Sequence, residues 1–309
     1  MDPLVIVFGL GVGVLIGLTG IGGGSLMTPL LILFAGINPS IAIGTDLAYG
    51  AVTKTVGGWR HLRKGTVDLG VSKWMAFGSV PGSVAGVILL DRFLKDRPES
   101  LLVGVGIALF VVALSILFRA LFMRAAVERE RHTVKLTRRV KLAAVSLGAV
   151  LGLLLGLTSV GSGALIGLAL ILVFRLTPHR VVGTDVFHAA IVLWAAGIAQ
   201  LFAGNIDFGL MVNILVGSLP GVLIGTALID KIPAGVLRPA LGCVLLGSAL
   251  GVFTKAGVDV PTWMIVGVPA LVGVLAYLLH RARARSAAAE QARLERERHL
   301  NDPPEVAAA

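Results

Sequence analysis

Charge is scarce in this chain. Asp, Glu, Lys and Arg make up 14% of its 309 residues, where a soluble domain carries about 25% to cover its surface with polar groups. Hydrophobic residues account for 56% and mean hydropathy is +0.92, which excludes an ordinary water-soluble fold. Cysteine is nearly absent: the single Cys243 excludes an intrachain disulfide and a cysteine-rich metal cluster. Acid is scarcer than base, with 17 Asp and Glu against 27 Lys and Arg, a net charge of +10. That excess calls for no nucleic-acid partner, because cytoplasmic loops and anionic lipid headgroups account for it. No phosphate loop opens a soluble domain and no nucleotide motif is present to power a pump. No cofactor or metal is implied, and the chain does not read as an enzyme.

Long apolar runs fill the space that charge leaves. Leu101 to Phe118 and Trp263 to Leu279 match the roughly 20 residues that cross a bilayer. The 40 glycines suit close helix packing and interrupted helices. Leu4 to Leu18 has the length of a signal peptide, but it lacks a basic leading segment and Asp2 is acidic, so it is read as part of the mature fold.

The chain repeats itself at an offset of 139 residues. Gly17-Leu18-Thr19 matches Gly156-Leu157-Thr158, and Gly44-Thr45-Asp46 matches Gly183-Thr184-Asp185. Gly65, Asp68 and Gly70 match Gly204, Asp207 and Gly209. Gly78-Ser79-Val80-Pro81-Gly82 matches Gly217-Ser218-Leu219-Pro220-Gly221. Between 17–91 and 156–230, 26 of 75 positions are identical without a gap.

Each repeat opens with an apolar stretch broken by small residues: 4–35 by Gly20 to Ser25, and 142–174 by Ser159 to Gly163. Arms of about 12 to 15 residues reach only about 20 Å, short of a ~30 Å hydrocarbon core. Each stretch is therefore either one broken crossing helix or a re-entrant hairpin with its tip inside the membrane. Charge decides. With the basic 119–141 segment in the cytoplasm, the hairpin reading places 21 of the 27 Lys and Arg inside and four outside; the crossing reading splits them 12 to 13. Equivalent loops also exchange charge: 36–40 is uncharged where 175–180 is basic, and 60–64 is basic where 199–203 is uncharged. The expected fold is an all-α integral membrane protein of two inverted repeats, each a re-entrant Gly-rich hairpin plus three transmembrane helices, with one extra C-terminal span.

The expected division is 1–118 for repeat one, 119–141 for a basic cytoplasmic linker and 142–257 for repeat two. An additional helix follows at 258–280, then a charged cytoplasmic tail at 281–309. Spans are expected near 41–59, 70–90, 100–118, 181–202, 209–229, 239–254 and 262–280. The tail reads as a surface helix ending at Pro303-Pro304. The chain is expected in the cell's inner (plasma) membrane.

Inverted repeats place substrate near the midplane between interrupted helices. Thr19, Gly22, Gly23, Gly24 and Ser25 at one tip, and Thr158, Ser159, Gly161, Ser162 and Gly163 at the other, combine close backbone approach, free N–H groups and hydroxyl donors that suit an oxyanion. The alternative use of these glycines is helix packing. Asp46 and Asp185 lie within the first spans, where an unpaired carboxylate is costly; they cap helices restarting after Gly44 and Gly183, carry coupled protons, or hold the hairpins through hydrogen bonds to backbone N–H. Lys54, opposite Leu193 in the repeat, can attract an anion or neutralise Asp46. His188 lies three residues past Asp185, where it can share a proton with it or pack as a core histidine. His61 reads as a solvated interfacial residue. The Gly-Ser-x-Pro-Gly motifs read as packing or hinge elements.

The stretch Gly17-Leu18-Thr19-Gly20-Ile21-Gly22-Gly23-Gly24-Ser25, with Gly44-Thr45-Asp46-Leu47, Thr53-Lys54, Val160-Gly161-Ser162-Gly163 and Val182-Gly183-Thr184-Asp185, resembles the sulfite exporter and toluenesulfonate uptake permease family (TauE/SafE) across residues 5 to 255. The resemblance implies secondary transport of sulfite, an organosulfonate, or a related sulfur-containing or carboxylate anion. Gln200 stands at the position equivalent to His61, so no histidine pair is carried over. The competing readings are a passive anion channel and a membrane scaffold for a soluble partner. Proton and sodium both stay open as coupling ions, as does a homo-oligomer.

Overall fold

The structure, a computed structural model, describes residues 3–19, 24–122, 134, 136–228 and 234–301. Eleven α-helices are present: α1 (Pro3–Thr19), α2 (Gly24–Leu33), α3 (Pro39–Arg63), α4 (Leu69–Leu89), α5 (Pro98–Phe122), α6 (Arg138–Thr158), α7 (Leu165–Leu172), α8 (Pro178–Phe202), α9 (Phe208–Leu228), α10 (Ala234–Lys255) and α11 (Thr262–Asn301). A π-helical turn, Leu90–Leu94, extends α4. No β-strand occurs among the described residues. Among the described residues six helical segments are long and apolar enough to cross a membrane, and the chain is a multi-pass membrane protein.

Local chemistry sets the helix starts. Asn38 accepts the Ser40 N–H at 3.0 Å, with Pro39 in the first turn. Asp68 accepts the Val71 N–H at 3.0 Å and, one repeat later, Asp207 accepts the Leu210 N–H at 2.9 Å. The preceding turns reverse at Gly65 and Gly204, at φ of 66° and 70°. Asp68→Ala and Asp207→Ala each remove a cap and are expected to cost about 1 kcal/mol. Thermal unfolding of the detergent-solubilised variants checks this; an unchanged midpoint in both would contradict it.

Two expectations are corrected. Asp46 and Asp185 do not cap restarting helices: α3 and α8 begin at Pro39 and Pro178 and run on unbroken, so both carboxylates sit inside helices. The hairpin arms are unequal, because Thr137 caps α6 four residues before the expected start at 142 and gives it 21 residues. Only the returning arms are short: α2 has 10 residues and α7 has 8, about 15 and 12 Å at 1.5 Å per residue. The tail is helical, as expected, and continuous with the last span. Its Ala, Arg and Glu favour helix, and α11 continues through it to Asn301. Pro303-Pro304 lies outside the described residues.

Packing follows the repeat. α1 packs on α9 and its counterpart α6 packs on α4, while α3 packs on its own counterpart α8 and α5 on α10. Glycine rows make the first two contacts. Gly78, Gly82 and Gly86 face Val145, Ala149 and Leu153, and Gly217, Gly221 and Gly225 face Ile6, Leu10 and Val14. The numbers rise together, so these helices run parallel. On α3 and α8, Gly50 meets Leu193 and Gly57 meets Val186, while on α5 and α10 Gly106 meets Phe253 and Gly242 meets Leu117. Those pairs run antiparallel.

These directions make each opening segment an out-and-back excursion. α1 starts beside the start of α9, and Asp207 just before α9 donates its N–H to Thr45 near the start of α3 at 3.0 Å. α2 returns to that same end, where the Phe34 ring lies 5.8 Å from that of Phe8. Lys255 there donates to the Ile32 carbonyl, and Lys95 to the Ala203 carbonyl at 3.1 Å. At the opposite end Arg180 lies 4.0 Å from Asp68, and Lys141 stacks 4.8 Å from the Trp74 ring.

Candidate functional site

The Gly-Thr-Asp motifs divide three tasks among consecutive residues. A side chain at Gly44 would strike the Asn205 carbonyl, and one at Gly183 would strike Thr66, so only glycine lets the other repeat's loop come this close. Thr184 accepts the Asp68 N–H at 2.8 Å, and Thr45 accepts that of Asp207. Each threonine thereby satisfies the backbone donor of a capping aspartate in the opposite repeat. The third residue turns inward.

Asp46 Oδ2 accepts from Thr28 Oγ1 at 2.6 Å and from Ser159 Oγ at 2.8 Å. Thr28 belongs to α2 and Ser159 to the tip between α6 and α7, so the carboxylate ties one repeat's returning arm to the other's tip. Ser159 makes the turn at φ 59°, and Gly161 and Gly163 both at 113°. The Gly163 N–H donates to Asp185, so this tip reaches both carboxylates. Thr158 spends its hydroxyl locally: it donates to the Leu154 carbonyl at 2.7 Å and accepts the Val160 N–H at 3.2 Å. Ser162 is buried at the same tip.

Lys54 lies within electrostatic reach of both Asp185 and Asp46. Exposure is 8% for Lys54, 1% for Asp46 and 5% for Asp185, yet Lys54 Nζ and one oxygen of each aspartate have no hydrogen-bond partner in the protein. Buried charges left this way are costly. Ser25 Oγ is also buried and unpartnered. Position 167, matching Thr28, is glycine, and Arg119 fills that space: a Cβ on Gly167 would stand 3.2 Å from its terminal nitrogen. Arg119 and Lys54 both act on the Asp185 charge.

His188 turns away from Asp185. Its Nε2 lies 3.1 Å from Ser79 Oγ on α4, and its repeat counterpart Tyr49 lies against Ser218 on α9. His61 pairs with Thr66 at 3.0 Å and stands apart from this cluster. Gly22 and Gly23 lie outside the described residues; Thr19 ends α1 and Gly24 opens α2.

The sequence reading therefore located Asp46, Asp185, Lys54, Ser159 and Gly163, which the fold brings together. It missed Thr28, Ser79, Ser218 and Arg119. Comparing the repeats position by position would have marked Thr28 against Gly167; Arg119 was hidden in the basic linker. Among the described residues, no group of three or more His, Cys, Asp or Glu is placed to hold a metal ion.

A family model described as sulfite exporter TauE/SafE matches residues 5–252. The probable membrane transporter protein YjnA of Bacillus subtilis (strain 168) is 39% identical over 253 residues, 81% of this chain and 99% of that protein. YdhB of the same organism, also a probable membrane transporter protein, is 28% identical over 229 residues, 74% of this chain and 91% of that protein. A probable membrane transporter protein of Xylella fastidiosa (strain 9a5c) is 26% identical over 264 residues, 83% of this chain and 97% of that protein. No solved structure matches the chain significantly.

Proposed function

Because the chain belongs to the sulfite exporter TauE/SafE family, we propose that this membrane transporter is a secondary carrier of a small anion, working by alternating access around a midplane site at the hairpin tips. The cargo is sulfite, an organosulfonate, or a related sulfur-containing or carboxylate anion. The observation that carries the reading is Lys54: a buried ammonium without a hydrogen-bond partner, set between two carboxylates beside a glycine-rich tip. A bound oxyanion supplies the partner that Lys54 lacks, and the tip's backbone donors with the unpartnered Ser25 hydroxyl complete its shell.

Two features support inverted repeats. Counterpart helices α3 and α8, and α5 and α10, pack antiparallel, as copies related by a two-fold axis in the membrane plane would. Basic residues also gather at one end, with Arg63, Lys64, Arg180 and Lys141, while Lys95 and Lys255 mark the other. That basic end and the C-terminus face the cytoplasm of a plasma membrane in this reading.

Proton coupling fits the same cluster. Bringing an anion beside Asp46 and Asp185 is costly unless one carboxylate takes up a proton. Asp46 suits that role: it is faced by the Thr28 and Ser159 hydroxyls, by Tyr49 three residues on along α3, and by Lys54 as the cation within reach.

The test is flux in proteoliposomes against sulfite, thiosulfate, sulfonates and small carboxylates, with and without an imposed pH or sodium gradient. Uphill accumulation of one anion on the pH gradient is expected. Flux that no gradient drives uphill would replace the carrier with a channel. No anion flux at all would sink the reading.

A further inference from the structure

The two halves of the site match in backbone but not in charge. Around Asp46 the donors are neutral hydroxyls, Thr28 and Ser159. In the sequence Thr28 is matched by Gly167 and Ser159 by Gly20, so neither hydroxyl has a counterpart in the other repeat. What stands in the gap is Arg119, whose terminal nitrogen would be 3.2 Å from a Cβ on Gly167. Its counterpart in the second repeat is Val258, so this cation has no twin. Lys54 acts on the same carboxylate, so Asp185 is one negative charge within reach of two positive ones.

We infer that Arg119 is a substrate-binding residue, which with Lys54 forms a two-cation clamp for an oxyanion on the Asp185 side of the site. This rests on the anion-carrier reading above and deepens it. Asp185 has two cations within reach where Asp46 has Lys54 alone, and that denser positive charge draws an anion to this side rather than to Asp46. A guanidinium offers paired donors in a fixed fork that match two oxygens of sulfite, a sulfonate or a carboxylate; lysine alone is a point charge with no such geometry. The fork therefore selects oxyanions over chloride. Gly167 is part of the device, since any side chain there competes with the guanidinium for room.

The experiment compares wild type with R119A, R119K and G167T in proteoliposomes, using sulfite and chloride, together with sulfite-induced thermal shifts of the purified proteins. R119A is expected to raise the sulfite KM about 10-fold or more. R119K keeps the charge but narrows sulfite-over-chloride discrimination, and G167T raises the KM with Arg119 still present. Unchanged KM and selectivity in R119A and G167T, with wild-type flux intact, overturns the inference and leaves the carrier reading standing. If R119A does not fold, R119K and G167T decide by the same measures. If wild type carries no sulfite, the carrier reading fails separately. A sulfite-induced shift equal in wild type and R119K, or absent from both, then overturns the clamp as well, and one lost in R119K supports it.

Discussion

Lys54→Leu, which installs the residue found at the matching position 193, is expected to lower anion flux by about 100-fold or more. The ammonium is the buried cation common to both aspartates, and its removal leaves Asp46 and Asp185 with less positive charge nearby. Breaking a buried ion pair by deleting one partner costs about 3–5 kcal/mol, most of it from the charge left behind. Lys54→Leu alone should therefore also melt at lower temperature. Pairing it with Asp185→Asn removes the stranded charge, so stability should recover while flux does not. That separation is the informative result: flux recovering together with stability would make Lys54 a structural ion pair and remove it from the transport site. Measurement needs initial flux rates and melting midpoints for wild type and both variants.

The second large effect is expected at the glycine rows. A Cβ on Gly78 would lie inside the Val145 carbonyl oxygen, and one on Gly217 inside that of Ile6. Since both neighbours are helix backbone, the helices must separate along their length. Overpacking of this kind costs about 1–3 kcal/mol and more where backbone has to move. Gly78→Val and Gly217→Val should lose most of the monodisperse protein on size exclusion. Gly11→Ala is the control: nothing stands within 4 Å of its Cβ position, so its melting midpoint should hold or rise slightly. Equal behaviour of all three would contradict the packing directions drawn for α1, α4, α6 and α9.

Much of the architecture was legible because bilayers impose it. Length and apolarity are read directly by the membrane, so the expected spans near 70–90, 100–118, 181–202, 209–229 and 262–280 coincide with helices long enough to cross. The apolar part of α10 is shorter, while α6, expected as a hairpin arm, is long enough. The 139-residue repeat was equally plain, since Gly-Thr-Asp and Gly-Ser-x-Pro-Gly do not recur at one offset by chance. What stayed hidden depends on which helix meets which. Asp68 and Asp207 were visible as a repeat identity, yet their role as caps whose backbone is held by Thr184 and Thr45 needs the opposite repeat in place. The capping role expected for Asp46 failed because proline two turns earlier was the stronger helix start. α3 is missing from the apolar spans, since Asp46, Lys54, Arg60, His61 and Arg63 depress its hydropathy; its pairing with α8 along much of its length is tertiary information. Arg119 was illegible for the same reason: the room it fills is made by a glycine 48 residues away.

The crossed pairing of α1 with α9 has a consequence for how the protein is made. α1 leaves the ribosome first, but the surface its glycines fit arrives about two hundred residues later. Thr45 likewise waits for Asp207, and Asp46 for Ser159. A newly inserted first half thus holds an open glycine seam and a carboxylate short of one donor in the lipid, and it needs shelter by the insertion machinery until the second half is threaded. Ribosome-stalled chains ending before residue 207 should be the ones that quality-control proteases remove.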